Sequence, residues 1–273
     1  MTVITDAGGA SMEFRLDGTR VVLDVHPRVN AWFTTRKGGV SSAPFDTLNL
    51  SYSVDDLPAN IVENRRRALL GSGRGLNELV MPHQIHQNHI EWVGPEHKGR
   101  GARGQNPISA TDGLFTESDA LVLGMGFADC VPIYLTDADA QAVGILHAGW
   151  RGTAAQIQKL GVEQLVRRGI DRRRILAGIG PSIGPCCYEV DRPVYDAISA
   201  VAGGEPLVQK DEEHWWLDLK KANRILLQMV GVLPENIVEA PFCTGCRSDL
   251  FFSYRVEGRR SGRMGGYICL KNK

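Results

Sequence analysis

ALVLGMGFADCVPIYLTDADAQAVGILHAGWRGT, residues 120–153, carries the pattern that decides the fold. Ala120–Met125 and Val131–Thr136 are short apolar runs bounded by turn-forming residues, and both read as buried strands. Asp137–Ala140 reads as a turn, and Ala142–His147 returns as a third strand. Thr153 and Gln156 then fit a capping box, with Ile157, Leu160 and Leu165 on one helical face and Gly169 as the stop.

Upstream, strand signals cover Arg20–Val25, Ala31–Thr35, Leu79–Ile85 and Ile90–Val93. A helix is expected after Pro58, with Ile61, Val62, Ala68 and Leu69 near one face. The Gly- and Arg-rich stretch Gly94–Gly113 reads as a long surface loop. Downstream, Ile175–Ile179 reads as a strand entering GIGPSIGP (178–185). Helices are expected from Asp191, with Val194, Ala197, Ile198 and Val201 spaced by three and four, and over Leu219–Met229. The second places Leu219, Ala222, Leu226 and Met229 on one stripe and stops at Gly231. Ile237–Ala240, Phe251–Tyr254 and Tyr267–Leu270 read as short strands. Strands outnumber helices and alternate with them irregularly. That predicts a mixed α+β layered domain, not a doubly wound sheet or a barrel.

The composition is globular: 273 residues, 43% hydrophobic and 23% charged, which excludes disordered and fibrous classes. Basic and acidic residues balance at 31 each, so the basic excess of nucleic-acid or membrane-surface binders is absent. No apolar run approaches the ~18 residues of a membrane-spanning helix. The opening MTVITDAGGASMEF has neither the basic start nor the apolar core of an export signal, and a cytoplasmic location is expected. Six cysteines at irregular spacing do not read as a disulfide framework, but as free or metal-bound thiolates.

Several segments carry chemistry. Cys130 lies in ADCVP (128–132), where it could be a buried structural thiol or a functional one. His147 ends an apolar strand in HAGWRGT (147–153), beside Arg151 and the expected helix start at Thr153, a pairing suited to an anion. MPHQIHQNHI (81–90) holds His83, His86 and His89. In an extended chain His86 faces away from the other two, so only one side of the segment can serve a buried site. A Cys and two His from separate segments can make an open three-ligand zinc site. Cys130 and His147 could equally form a thiolate–imidazolium pair for nucleophilic hydrolysis. The seven histidines include no His-x-His pair, which a blue multicopper oxidase needs. Cys186, Cys187, Cys243 and Cys246 are a weaker candidate for structural zinc, because adjacent cysteines are poor joint ligands. Trp215 and Trp216 read as core or interface residues.

Together these segments resemble the YfiH-like family, also labelled the multicopper polyphenol oxidase or laccase domain, and purine nucleoside phosphorylase. The matching stretches are TTRKGGVSSAPFDTLNL (34–50), VENRRRAL (62–69), QIH (84–86), DALVLGMGFADCVPIYLTD (119–137) and VGILHAGWRGT (143–153). They continue with GIGPSIGPCCYEV (178–190), WWLDLKKANRILL (215–227) and FFSYRVEGRRSGRMGGYI (251–268). The resemblance implies one catalytic domain over 1–273, folded as a layered α/β/β/α sandwich of the putative cysteine hydrolase type. It implies one zinc, held by His86, Cys130 and His147, which would also be the catalytic residues.

The implied reactions are phosphorolysis of adenosine, inosine, guanosine and methylthioadenosine, with phosphate as co-substrate, and deamination of adenosine to inosine. Some members are linked instead to editing peptidoglycan precursors, which a Cys–His amidase would do. Open three-ligand zinc lowers the pKa of a bound water to about 7, suited to attack at purine C6. Phosphate binding is assigned to Arg151, with Arg36 and Arg255 in reserve. Asn49 and the Gly180–Gly184 loop are expected to line the nucleoside pocket. The implied partners are a small nucleoside and phosphate, with no nucleic acid, membrane or obligate protein. One departure is Gln87, where the family usually has Gly. Cys246 and EGRRSG (257–262) also look individual to this chain.

Overall fold

The computed structural model describes residues 4–5 and 11–272. The chain opens with four antiparallel strands: β1 (Ile4–Thr5), β2 (Ser11–Asp17), β3 (Arg20–Asp24) and β4 (Val29–Thr34). Helix α1 (Pro58–Ala68) follows, then β5 (Leu79–Val80), β6 (Ile90–Trp92) and β7 (Gly113–Thr116). Next come β8 (Val122–Phe127), β9 (Val131–Asp137) and β10 (Val143–Ala148), the three strands of the deciding stretch. Two helices, α2 (Trp150–Ala154) and α3 (Ile157–Val166), lead to β11 (Ile175–Ile179) and β12 (Glu189–Asp191). The chain continues through α4 (Arg192–Ala202), β13 (Leu207–Gln209), β14 (His214–Leu217), α5 (Leu219–Met229) and β15 (Ile237–Glu239). It ends with α6 (Tyr254–Glu257) and β16 (Met264–Leu270).

The strands form a seven-stranded sheet, β1-β2-β3-β4-β16-β8-β5, and a six-stranded sheet, β15-β11-β9-β10-β7-β6. A small third sheet has the order β12-β14-β13. The fold is thus mixed α/β with several sheets. Phe33, Met125, Phe127 and Ile268 of the first sheet share one apolar cluster with Tyr134, Val143 and Ile145 of the second. The opposite face of the second sheet buries Ile133, Leu135 and Leu146 against Ile157, Leu165, Ile198 and Leu226 of the helices. Trp32, Val122 and Tyr267, on the outer face of the first sheet, pack with Leu48, Leu50, Ala68 and Leu69. β9 and β10 are therefore covered on both faces, and so their sequences are continuously apolar rather than alternating.

Helix α4 starts at Asp191, whose carboxylate accepts the Val194 N–H at 3.5 Å; α5 starts at Asp218, which accepts the Lys221 N–H at 3.0 Å. Trp215 is buried and packs on Tyr195, as a core residue should.

Six local expectations are corrected. The strand expected over Leu79–Ile85 ends at Val80: Pro82 has no N–H, the Met81 and His83 amides bond the loop carbonyls Arg100 O and Ile108 O, and the amides of residues 85–87 are taken by a carboxylate. The single helix after His147 is two helices, divided at Gln156, which adopts a left-handed φ of 56°. No side-chain cap forms there; the Thr153 hydroxyl is buried and accepts from Asn223 Nδ2 at 3.1 Å. In α1 the buried face holds Asn64 and Arg65 rather than Val62. Met229, expected on the apolar stripe of α5, is 68% exposed. Phe251–Tyr254 is not a strand: the Phe251 amide bonds Arg247 O, the Phe252 amide bonds Met264 Sδ, and Tyr254 begins α6.

Candidate metal centre and cleft

His147 is delivered by the register of β10. Side chains alternate along a strand, and Val143 and Ile145 point into the cluster between the large sheets. His147 shares their side and lies 5.4 Å from the Phe127 ring, centroid to centroid. Cys130 is set by the turn from β8 to β9. Asp129 makes that turn with a φ of 84°. Its carboxylate accepts the Thr244 hydroxyl at 2.6 Å and the Arg255 backbone N–H at 2.7 Å. His86 lies in the loop between β5 and β6, also at positive φ, 59°.

One ligand atom from each of His86, Cys130 and His147 lies within 4.8 Å of the others. The histidine rings stand edge to face at 4.8 Å. One thiol and two imidazoles converging in this way can hold a metal ion. Gly149 leaves room for the set, since a Cβ there would meet Cys130 Sγ at 2.8 Å. His83 and His89 are outside the cluster; His89 pairs with Glu91 at 3.3 Å on the surface.

Asp112 is the residue that sequence reasoning missed. It is fully buried at the end of the stretch expected to be a surface loop. Its carboxylate accepts the N–H groups of Ile85, His86 and Gln87 at 3.1, 3.0 and 2.9 Å. The same group bonds His147 Nδ1 at 2.9 Å. Asp112 therefore places two of the three candidate ligands. The available signal was an acid entering an apolar strand, TDGLFT, which a simple turn does not require.

Electrostatics follow from this packing. Burial alone would raise the Cys130 thiol, but the charge on His147 and hydrogen bonds from both histidines lower it to about 6. Burial alone would lower His147, but the Cys130 thiolate and Asp112 raise it to about 9. Burial likewise opposes ionisation of Asp112, yet His147 and the loop amides hold its carboxyl below the usual value. Both shifts favour a thiolate beside an imidazolium. Thiolate is also the form that binds a metal.

The three residues sit in a cleft of about 1100 Å³. Its walls include Ile183, Tyr188, Tyr254, Arg151, Arg255 and Arg263. The Arg151 guanidinium lies over Trp150 at 4.3 Å, Arg255 over Tyr188 at 4.9 Å and Arg263 over Tyr254 at 5.6 Å. Among the described residues none of these arginines has a carboxylate ion-pair partner. Arg263 is a further missed candidate.

Two expected substrate contacts are corrected. Arg36 is outside the cleft, tied to Glu257 Oε1 at 2.8 Å and stacked over Phe252. Asn49 is buried; its Oδ1 accepts the Arg263 N–H at 3.0 Å, and its Nδ2 donates to Asp56 at 2.9 Å. It positions a cleft wall rather than forming one. The helix bearing Thr153 has only five residues, and Thr153 is buried, so that helix start offers no anion site. Of the Gly180–Gly184 loop, Ile183 reaches the cleft.

Fold and site define a mixed α/β protein with a Cys–His–His cluster on the floor of an arginine-walled cleft. Residues 30–271 match the family model described as multi-copper polyphenol oxidoreductase laccase, and the chain belongs to this YfiH-like family. It is 38% identical over 247 residues to purine nucleoside phosphorylase YlmD of Bacillus subtilis, covering 89% of each chain. It is 34% identical over 243 residues to adenosine deaminase RL5 of an unknown prokaryotic organism, covering 86% of this chain and 91% of that one. The crystal structure of Bacillus licheniformis hypothetical protein YfiH superposes with a TM-score of 0.91 at 37% identity, covering 94% of this chain and 99% of that one.

Proposed function

We propose that the chain is a zinc-dependent purine nucleoside enzyme. It cleaves adenosine, inosine, guanosine and methylthioadenosine with phosphate, giving free base and (methylthio)ribose 1-phosphate, and it deaminates adenosine to inosine. The observation that carries this reading is the His86–Cys130–His147 cluster, backed by Asp112 and opening into a cleft with three arginines lacking acidic partners. The relatives named as purine nucleoside phosphorylase and adenosine deaminase support the reaction class.

The donor set suits zinc: one thiolate and two imidazoles leave a fourth position open. When bound, zinc would supply a Lewis acid at the cleft floor. The remaining work falls to the chain itself. Asp112 accepts from His147 Nδ1–H, fixing the tautomer that turns Nε2 toward Cys130. Arg151, Arg255 and Arg263 hold phosphate for attack at ribose C1′, and Tyr188 and Tyr254 offer aromatic faces to the purine. The ligands are a nucleoside and phosphate, with no obligate protein partner, and the setting is the cytoplasm. One catalytic domain spans 1–273. Its α/β/β/α layering of the putative cysteine hydrolase kind is supported by the three apolar clusters. The peptidoglycan-editing alternative gains nothing from the relatives named above.

Adenosine incubated with and without phosphate tests the reading. Adenine should appear only with phosphate, and inosine in both. Cys130→Ala or a chelator should abolish both products. Full turnover in that variant would remove Cys130 from the site.

A further inference from the structure

A second sulfur-rich centre lies beside the cleft. The Sγ atoms of Cys186, Cys187, Cys243 and Cys246 all lie within 4.8 Å of one another. Cys246 Sγ is 3.3 Å from Cys186 Sγ and 3.4 Å from Cys187 Sγ. One sulfur thus neighbours two others at once, so the set converges on a point rather than pairing two by two. Adjacency of Cys186 and Cys187 is no obstacle, contrary to expectation. A turn closed by the Cys187 N–H on Gly184 O at 3.0 Å brings both sulfurs to the same place.

Backbone N–H groups face one of the four sulfurs, that of Cys243. The Gly184 N–H donates to Cys243 Sγ at 3.1 Å, and Cys246 offers the same sulfur its own N–H. Cys243-Thr244-Gly245-Cys246 has the two-residue spacing of a zinc-binding loop. Gly184 and Gly245 pack directly against the cluster. A Cβ at Gly245 would lie 3.1 Å from Cys187 Sγ, and one at Gly184 would lie 3.4 Å from Cys186 Sγ.

We propose that Cys186, Cys187, Cys243 and Cys246 form a closed tetrathiolate site for one zinc ion, separate from the Cys130 centre. Zinc–sulfur bonds of about 2.3 Å place tetrahedral sulfurs about 3.8 Å apart, so the two short separations at Cys246 need only a small expansion. A multi-iron cluster spreads its thiolates around several metals and does not fit this spacing. Cys186 and Cys246 are exposed, which gives the ion an entry path. Binding releases the thiol protons and leaves no open coordination position, so the role is structural.

The zinc staples two loops of the cleft. Thr244 N–H bonds Ser182 O at 3.0 Å, and Ile183 N–H bonds Asp129 O at 3.0 Å. The Thr244 hydroxyl holds Asp129, the neighbour of Cys130. The staple thus fixes the cleft-wall residues Ile183 and Tyr188 and the turn presenting Cys130.

The test uses metal content and spectroscopy, not turnover, so it stands apart from the nucleoside assignment. The full chain carrying Cys130→Ala is purified under reducing conditions and reconstituted with zinc or cobalt. About one zinc per chain should remain, and the cobalt form should show strong near-ultraviolet sulfur-to-metal charge transfer. Cys130→Ala removes the thiolate of the first centre, so that band must come from the four cysteines. Adding Cys246→Ser removes one of four thiolates and should lower the band by about a quarter or more; the Cys130→Ala measurement stands alone if the double variant does not fold. Absence of metal and band in reduced, folded Cys130→Ala overturns the proposal. So does persistence of the full band after Cys246→Ser.

Discussion

The Asp112 carboxylate bonds His147 Nδ1 at 2.9 Å and the His86 backbone N–H at 3.0 Å, so one buried acid governs two candidate ligands. Asp112→Asn keeps the shape but loses the charge and one acceptor oxygen. Metal affinity is expected to fall about 10–100-fold, as for other carboxylates behind a metal-bound histidine. Competition with a chromogenic chelator measures this. Unchanged affinity would show that the histidines hold their positions without the acid.

Gly149 offers a purely steric test. The Cβ of Gly149→Ala would stand 2.8 Å from Cys130 Sγ. That displaces the thiol while leaving all three ligands present. Turnover should drop roughly 100-fold, the scale of an ångström-sized misplacement at a reacting centre. Melting should change little by comparison. Steady-state rates and a thermal scan on the same sample separate the two effects.

Arg255 separates the two reactions. Its side chain faces the cleft over Tyr188, while its backbone N–H alone supports Asp129. Arg255→Ala should raise the KM for phosphate about tenfold, the value of one charge-assisted hydrogen bond. Deamination, which uses no phosphate, should fall much less. Equal losses in both would place Arg255 on the nucleoside instead.

Asp56 gives the pH dependence of stability. It accepts from Ser41 at 2.6 Å, Asn49 at 2.9 Å and Asn60 at 3.1 Å. Burial opposes its ionisation, but these bonds hold its carboxyl below the usual range. A depressed folded pKa stabilises above the unfolded value of about 3.9, and that gain is lost as pH falls through the folded pKa. Asp56→Ala should cost about 1–3 kcal/mol at neutral pH. Urea melts should show the gap narrowing only below about pH 4. A gap independent of pH would assign the loss to packing.

What the sequence made legible follows physical rules. Strands β8, β9 and β10 are plain because apolar clusters on both faces leave each an apolar run. Cys130 and His147 were legible as candidates because they border those runs. The loop of His86 carries no such signal, because its amides answer to Asp112, which lies 26 residues from His86 and leaves no local periodic pattern. The same holds for Gln156, whose left-handed backbone splits a helix that its neighbours would continue. Arg36 looked free in the sequence, but Glu257, 221 residues away, claims it.

β16 sits between β4 and β8, inside the seven-stranded sheet. Its partners are made far earlier, so during synthesis the nascent sheet has a gap along both unpaired strand edges. Contacts of such long sequence separation slow folding and leave edges prone to aggregation meanwhile. Residues 264–270 are the last of this sheet's strands to be synthesised. Met264 pairs with Phe127, two residues before Asp129, so the end of β8 that leads into the Asp129 turn gains its ladder partner only then.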